Sequence, residues 1–117
     1  MTKQIIGAQG EITIIKIDQL PAGFEAMTKA ERVKAGWIIS HSESGHHHVL
    51  TDGDVRERTE GVPAGMKVLY AVLDNPSALI QDAQTPHGEY ALPPGVYEFR
   101  CAREFDPFAA QARRVAD

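Results

Sequence analysis

The sequence predicts an all-β fold, mainly antiparallel, arranged as a small barrel or sandwich with one short helix and a C-terminal helical tail. Strand-like runs recur along the chain at roughly regular spacing, with prolines and glycines between them. Near the C-terminus, apolar and charged residues alternate strictly, as in a strand with two different faces. The chain has 117 residues, which suits one domain, so we predict a single domain over residues 1–117.

The N-terminal part of the chain begins with strands and continues into the predicted helix. Residues 11–18 contain four isoleucines and no glycine or proline, which indicates a strand, and residues 3–7 supply a shorter partner. Residues 28–36 resemble a short helix, because Thr28 and Glu31 have the spacing of a capping box. A helix this short is stable only when it packs against a sheet.

The middle of the chain contains a predicted β-hairpin and a predicted central strand. Residues 37–51 read as two strands joined by a turn at 42–45, and residues 52–65 read as a charged loop. Residues 66–73 are apolar on both faces, which is typical of a strand covered on both sides. Further strands are predicted over residues 77–83, 87–92 and 95–105.

The last strand shows the clearest alternation. Tyr97, Phe99 and Cys101 fall on one face, whereas Glu98 and Arg100 fall on the other. Cys101 is therefore expected to be a buried, unreactive thiol. The tail over 107–117 is predicted to be helical, with a proline at its first position and apolar residues recurring at Phe108, Ala112 and Val115.

Composition excludes several classes of protein. The net charge is −4 and the isoelectric point is near 5.7, which argues against a nucleic-acid partner. A single cysteine excludes an internal disulfide and a cysteine-based zinc knuckle. No apolar run reaches the roughly 20 residues that span a bilayer, and residues 1–4 lead directly into a strand. We therefore expect a cytoplasmic protein without a membrane partner.

Histidine is the residue type that points to a site. All five histidines lie between positions 41 and 87, and four of them fall within eight positions. His41 ends the first strand of the predicted hairpin and His46 begins the second. Alternation places His46 and His48 on one face and His47 on the other. Two imidazoles separated by one residue on a strand are about 7 Å apart and can lean towards one metal ion.

The sequence therefore suggests a metal site built from several strands. Asp52 follows the hairpin and offers a carboxylate, while His87 and Glu89 form a second pair that could close the site. The candidate ligands are His41, His46, His48, His87, Asp52 and Glu89, and the candidate cofactor is a divalent metal such as zinc, iron, nickel or manganese. A hydrogen-bonded structural cluster or a pH switch are the alternatives. No catalytic residue or organic cofactor is predicted, because nucleophile-elbow and phosphate-loop motifs are absent.

The histidine motif is similar to the first metal-binding motif of the cupins, which are small β-barrel proteins with a metal inside the barrel. It consists of the pair His46-x-His48 followed by Asp52. The run Leu92-Pro-Pro-Gly-Val-Tyr-Glu98 resembles the second motif, with Glu98 where the family has a histidine. The resemblance implies a metalloenzyme in which a metal with an open coordination position acts as Lewis acid or activates water or oxygen. Its implied protein ligands are His46, His48, His87 and a carboxylate.

A second resemblance covers most of the chain. The block Ser40-His-Ser-Glu-Ser-Gly-His-His-His-Val-Leu50, with the endings 103–107 and 113–117, looks like a group of small uncharacterised proteins from bacterial and prophage-type genomes. This resemblance implies a shared fold and no particular activity.

Three functions are consistent with these observations. The scarcity of catalytic motifs favours a small β-domain that acts as a binding or assembly module, with a histidine cluster that binds a divalent metal. Its partner would be an unknown protein or a second copy of the chain. The alternatives are a cupin-like metalloenzyme and a virion or prophage structural protein.

Overall fold

A computed structural model describes residues 2–41, 47–81 and 89–102. Within these ranges the chain forms antiparallel strands and one short 3₁₀ turn at Phe24–Ala26. The strands are β1 (Lys3–Gln9), β2 (Ile12–Ile17), β3 (Thr28–Lys29), β4 (Arg32–Val33), β5 (Gly36–Ser40), β6 (His48–Leu50), β7 (Asp54–Arg58), β8 (Met66–Leu73), β9 (Ser77–Gln81), β10 (Tyr90–Leu92) and β11 (Gly95–Ala102). The predicted all-β, mainly antiparallel class is confirmed.

The strands form two sheets that pack face to face. One sheet has six strands in the order β1-β2-β11-β8-β7-β3, and the other has five in the order β10-β9-β6-β5-β4. No ladder joins the two sheets within the described residues, so the architecture is a sandwich rather than a closed barrel. The core between them draws buried side chains from both sheets, including Ile12, Ile14, Ile39, Leu50, Leu69, Leu79, Tyr97 and Phe99.

The six-stranded sheet is covered on its outer face as well. A second apolar cluster there contains Ile15, Ile17, Phe24, Val68 and Tyr70. Phe24 belongs to the 3₁₀ turn, and the guanidinium of Arg56 lies 4.9 Å from the centre of its ring. Arg56 also donates a hydrogen bond to the Glu25 carbonyl oxygen. These contacts hold the loop before β3 against the sheet, and β8 is covered on both sides, as its sequence predicts.

The predicted helix over residues 28–36 is wrong, because this segment forms the edges of both sheets. Thr28 and Lys29 pair with β7, whereas Arg32 and Val33 pair with β5. Between them, the Ala30 amide donates to the carbonyl of Val55. These bonds to β7 and to the adjacent strand β5 replace the bonds of a helix, which a segment this short cannot maintain by itself.

The predicted loop over residues 52–65 contains a strand. β7 pairs with β8 over its whole length, from Asp54 opposite Val72 to Arg58 opposite Val68. Only Val55 is fully buried in this strand, so its charged sequence conceals the strand pattern. The predicted C-terminal helix over 107–117 lies outside the described residues.

The edge strands β1 and β10 meet on one side of the sandwich. The Tyr90 hydroxyl donates a hydrogen bond to the Ile6 carbonyl oxygen. Ile6 is the extra residue of a β-bulge, because the register with β2 shifts between Ile5 and Gly7. Gly7 leaves room for the tyrosine, since a Cβ there would overlap the Tyr90 ring. A side-chain contact thus joins the two sheets where backbone pairing does not.

Candidate functional site

A β-bulge determines which histidines meet at the end of the predicted hairpin. Ile38 pairs with Val49, but Ser40 pairs with His48, so the register shifts by one residue between them. An uninterrupted register would place His41 opposite His46. The extra residue instead directs His41 towards His47, and their ring centroids are 4.8 Å apart in an edge-to-face arrangement.

The His41–His47 pair has a carboxylate beside it. The Nε2 atom of His41 is 2.9 Å from the Oε2 atom of Glu31, and both side chains are about half-exposed or more. His47 is half-buried, and its Nδ1 atom is buried without a hydrogen-bond partner among the described residues. A buried ring nitrogen without a hydrogen bond is costly unless another group or an ion binds it.

His48 points the other way, into the space between the sheets. It lies two residues from the core residue Leu50 and is 5% exposed. Its Nδ1 atom is 2.9 Å from the Oε1 atom of Gln9, and the Gln9 amide nitrogen donates to the Leu79 carbonyl oxygen. Because an amide oxygen only accepts, Nδ1 is the ring nitrogen that donates in this contact. Nε2 faces Gly10, where an added Cβ would lie 3.1 Å from it.

Replacing Gln9 with methionine is expected to destabilise the protein by about 1–3 kcal/mol, because it removes the buried hydrogen bonds that Gln9 makes with His48 and with the Leu79 carbonyl. Urea unfolding at neutral pH measures the change. Gln4→Met on the same strand is the control, since Gln4 is exposed, and its effect should stay within about 0.5 kcal/mol. Equal effects of the two substitutions would contradict the assigned role of Gln9.

The structure separates several of the ligands predicted from the sequence. Asp52 follows β6 and lies at the opposite end of the sandwich from His48, since four extended residues span about 13 Å. Glu89 is exposed and precedes β10, and β9 lies between β10 and the strand that carries His48. His46 and His87 lie outside the described residues, so their part in a metal site stays a prediction.

The end of the sandwich that carries His41 and His47, called the histidine end, also contains Glu31. Neither His47 nor Glu31 was predicted from the sequence as a site residue. Strand alternation assigned His47 to the face away from His46 and His48, and the contact with His41 arises only through the bulge. Glu31 was assigned to a helix cap, whereas it lies between β3 and β4. Within residues 2–41, 47–81 and 89–102, no group of three or more histidine, cysteine or acidic side chains has the geometry to hold a metal ion.

Glu98 is buried on the outer face of the six-stranded sheet. Its exposure is 0%, and it accepts hydrogen bonds from Lys3, at 2.9 Å, and from Arg100. Burial raises the pKa of Glu98, but the hydrogen bonds and positive charges of Lys3 and Arg100 outweigh it and hold the pKa below its ordinary value. Tyr97 and Phe99 point to the opposite face, as predicted. Glu98 therefore faces away from the interior, where a cupin ligand would lie.

The Asp52 end of the sandwich contains a cleft of about 370 Å³, lined by Asp52, Gly53, Asp54, Val72, Asp74 and Asn75. The Asp54 carboxylate already accepts two hydrogen bonds from Arg56. Four of the six lining residues are acidic or amide, but these groups do not form a metal-ligand set. No helix in the described part of the chain is long and apolar enough to cross a membrane.

Comparison with known proteins gives one assignment. No curated protein matches the chain, and no solved structure matches it. One family model matches residues 8–102, a span that begins in β1 and ends with β11. The chain belongs to the family described as Domain of unknown function (DUF8820).

Proposed function

We propose that this chain is a small β-sandwich binding or assembly module whose histidine end binds a divalent metal ion. The observation that carries the proposal is the His41–His47 pair, with ring centroids 4.8 Å apart and with Glu31 in contact with His41. Two imidazoles that share one zinc ion have centroids about 5 Å apart, given zinc–nitrogen bonds of about 2 Å and a tetrahedral angle. The separation of the two ring centroids supports a shared ion, although the described residues must rearrange to bind it, because they do not form a metal-binding group as they stand.

We propose the Glu31 carboxylate as a third ligand of the same ion, after a rearrangement of the side chains. Neighbouring ligands on tetrahedral zinc are separated by about 3.3 Å, and the Glu31 oxygen is 2.9 Å from His41 Nε2. If the His41 Nε2 and Glu31 Oε2 atoms move slightly apart, the ion can take the place of the hydrogen between them. Two imidazoles and a carboxylate suit zinc, nickel, iron or manganese, and His46, next along the chain from His47, is the predicted fourth ligand.

The exposure of the site favours binding over catalysis. His41 and Glu31 have side-chain exposures of 49% and 64%, whereas an enzyme site is normally a concave pocket that excludes water. A metal held at such a surface can bridge to an unknown protein or to a second copy of the chain. We retain the cytoplasm as the proposed location. No contact among the described residues favours a cupin-like enzyme or a virion structural protein, and neither is proposed.

Untagged full-length protein is expected to bind one zinc or nickel ion per chain in isothermal titration calorimetry. His41→Ala and His47→Ala should each weaken binding at least about tenfold, as loss of one ligand removes more than about 1.4 kcal/mol. Asp52→Asn is the control, since Asp52 lies at the other end of the sandwich, and it should bind as the wild type does. Sub-stoichiometric binding, or unchanged affinity in both histidine variants, would reject the proposal.

Sedimentation velocity with and without the metal distinguishes a module that binds a second copy of the chain from one that binds a different protein. An increase in mass that chelation reverses identifies metal-dependent self-assembly. A metal-loaded monomer excludes self-assembly and leaves a different protein as the proposed partner.

A further inference from the structure

The outer face of the six-stranded sheet contains a cleft at the end of β7, which we call the arginine cleft. Its volume is about 290 Å³. One wall belongs to the loop before β3 and carries the small or apolar residues 21–23, Ala26 and Met27. The other wall is residues 58–60, where β7 ends, and its side chains are polar. A cleft with one apolar and one polar wall suits a small molecule that has an apolar part and a polar end.

Arg58 is held in position at the polar wall by two contacts. Its Nε atom donates a hydrogen bond of 3.0 Å to the Glu60 carbonyl oxygen, and its Nη1 atom donates to the Tyr70 hydroxyl at 3.5 Å. Tyr70 is 2% exposed and belongs to the outer apolar cluster, so packing fixes its ring. These contacts use two of the N–H donors of the guanidinium, and the rest of its planar fork can bind a ligand.

Arg58 has no acidic partner within the described residues, unlike the other arginines of the same sheet face. Arg56 and Arg100 each form an ion pair with an acidic residue two positions earlier in the chain. The residue two positions before Arg58 is Arg56 itself, so the same local pairing is not available. A guanidinium that is held in place beside an apolar wall, without an acid of its own, can bind the anionic group of a ligand.

We propose that the arginine cleft binds a small organic carboxylate. The planar fork of Arg58 matches the two oxygens of a carboxylate, and the wall that includes Ala26 and Met27 accommodates a short aliphatic or aromatic group. Glu60 also lines the cleft and adds a negative charge, which disfavours a phosphate more than a singly charged carboxylate. The volume is at the lower limit of small-molecule pockets, so the apolar group must be short.

A titration of the full-length chain with matched small molecules tests the proposal. At constant ionic strength, hexanoate is expected to shift the amide NMR resonances of residues 22–27 and 58–61 saturably, with a dissociation constant of about 1 mM or lower. Acetate lacks the apolar chain and hexanamide lacks the charge, so each should bind at least about tenfold more weakly. Absence of a saturable shift with hexanoate would overturn the proposal. Equally tight binding of acetate, hexanamide or inorganic phosphate would overturn it as well.

Substitutions at Arg58 test the role of the guanidinium. Arg58→Met should weaken hexanoate binding at least about tenfold, and Arg58→Lys, which keeps the charge but removes the fork, should weaken it at least about threefold. Arg32→Met is the matched control, because it removes the same charge from the other sheet, where Arg32 lies over the Trp37 ring. It should bind hexanoate as the wild type does. Unchanged binding by Arg58→Met, or an equal loss in Arg32→Met, would reject the site.

Discussion

Replacing Gly36 with alanine is expected to destabilise the protein by about 4 kcal/mol, a large part of the total stability of a small domain. Gly36 begins β5 with a φ angle of 146°, a backbone conformation that residues other than glycine rarely adopt. A Cβ atom there would overlap the Leu50 carbonyl oxygen and crowd the Leu50 carbonyl carbon. The obstacle is backbone rather than a movable side chain, so β5 and β6 would have to separate.

Gly65→Ala separates backbone strain from this overlap. Gly65 has a φ angle of 79° and no atom within 4 Å of an added Cβ. The control should cost about 1–2 kcal/mol, from strain alone. Chemical denaturation of both variants gives the comparison, and a Gly36 variant no less stable than the Gly65 variant would refute the assigned close approach of the two strands.

The second large effect is expected at Glu98, where alanine should reduce the free energy of unfolding by about 3 kcal/mol. The carboxylate is fully buried and binds two cations, so its loss leaves Lys3 and Arg100 without a partner and opens space beneath them. The cations have exposures of 44% and 47%, and water can replace part of the lost interaction. The effect therefore falls at the lower end of the range for broken buried ion pairs.

The pH dependence of the free energy of unfolding gives an independent measurement of the ion pairs that Glu98 makes with Lys3 and Arg100. The pKa of Glu98 is lower in the folded state than in the unfolded chain, so the unfolded state binds more protons between the two values. Its contribution to stability is fully present above the ordinary glutamate pKa of about 4.3 and is lost as the pH falls through the lowered value. The stability difference between the wild type and Glu98→Gln should shrink over that interval.

Glu11→Gln is the control for this titration, because Glu11 is exposed in the turn between β1 and β2. Its effect on the free energy of unfolding should be small beside that of Glu98→Gln at neutral pH, since Glu11 is exposed. A Glu98→Gln difference that does not change in acid would show that Glu98 stabilises the fold by packing rather than by charge.

The strands that the sequence predicted best are those whose pattern reflects their own surroundings. β8 is apolar on both faces because both faces are covered, and β11 alternates because its two faces meet different environments. Edge segments give no such signal. β3 and β4 are two-residue strands in a polar stretch. The partner of β3 is distant in the sequence and β4 forms only a short hairpin with β5, so local capping chemistry indicated a helix instead.

Only part of the candidate site could be predicted, because one of its contacts does not follow from strand alternation. The hairpin and the opposite orientations of His47 and His48 follow from strand alternation, but the partner of His41 depends on a bulge. A bulge inserts one residue without a distinctive sequence mark here, and it exchanges His46 for His47 opposite His41. The burial of Glu98 was likewise hidden, because Lys3 reaches it from a strand that is 95 positions away.

The contact between Tyr90 and Ile6 bears on how these molecules behave at high concentration. A flat strand at the margin of a sheet is a template on which another chain can extend the sheet, and this route leads to aggregates. On β1 the bulge interrupts the regular row of donors and acceptors, and the Tyr90 hydroxyl already binds the Ile6 carbonyl. Gly7, which admits the tyrosine ring, thereby helps to keep neighbouring molecules from joining edge to edge.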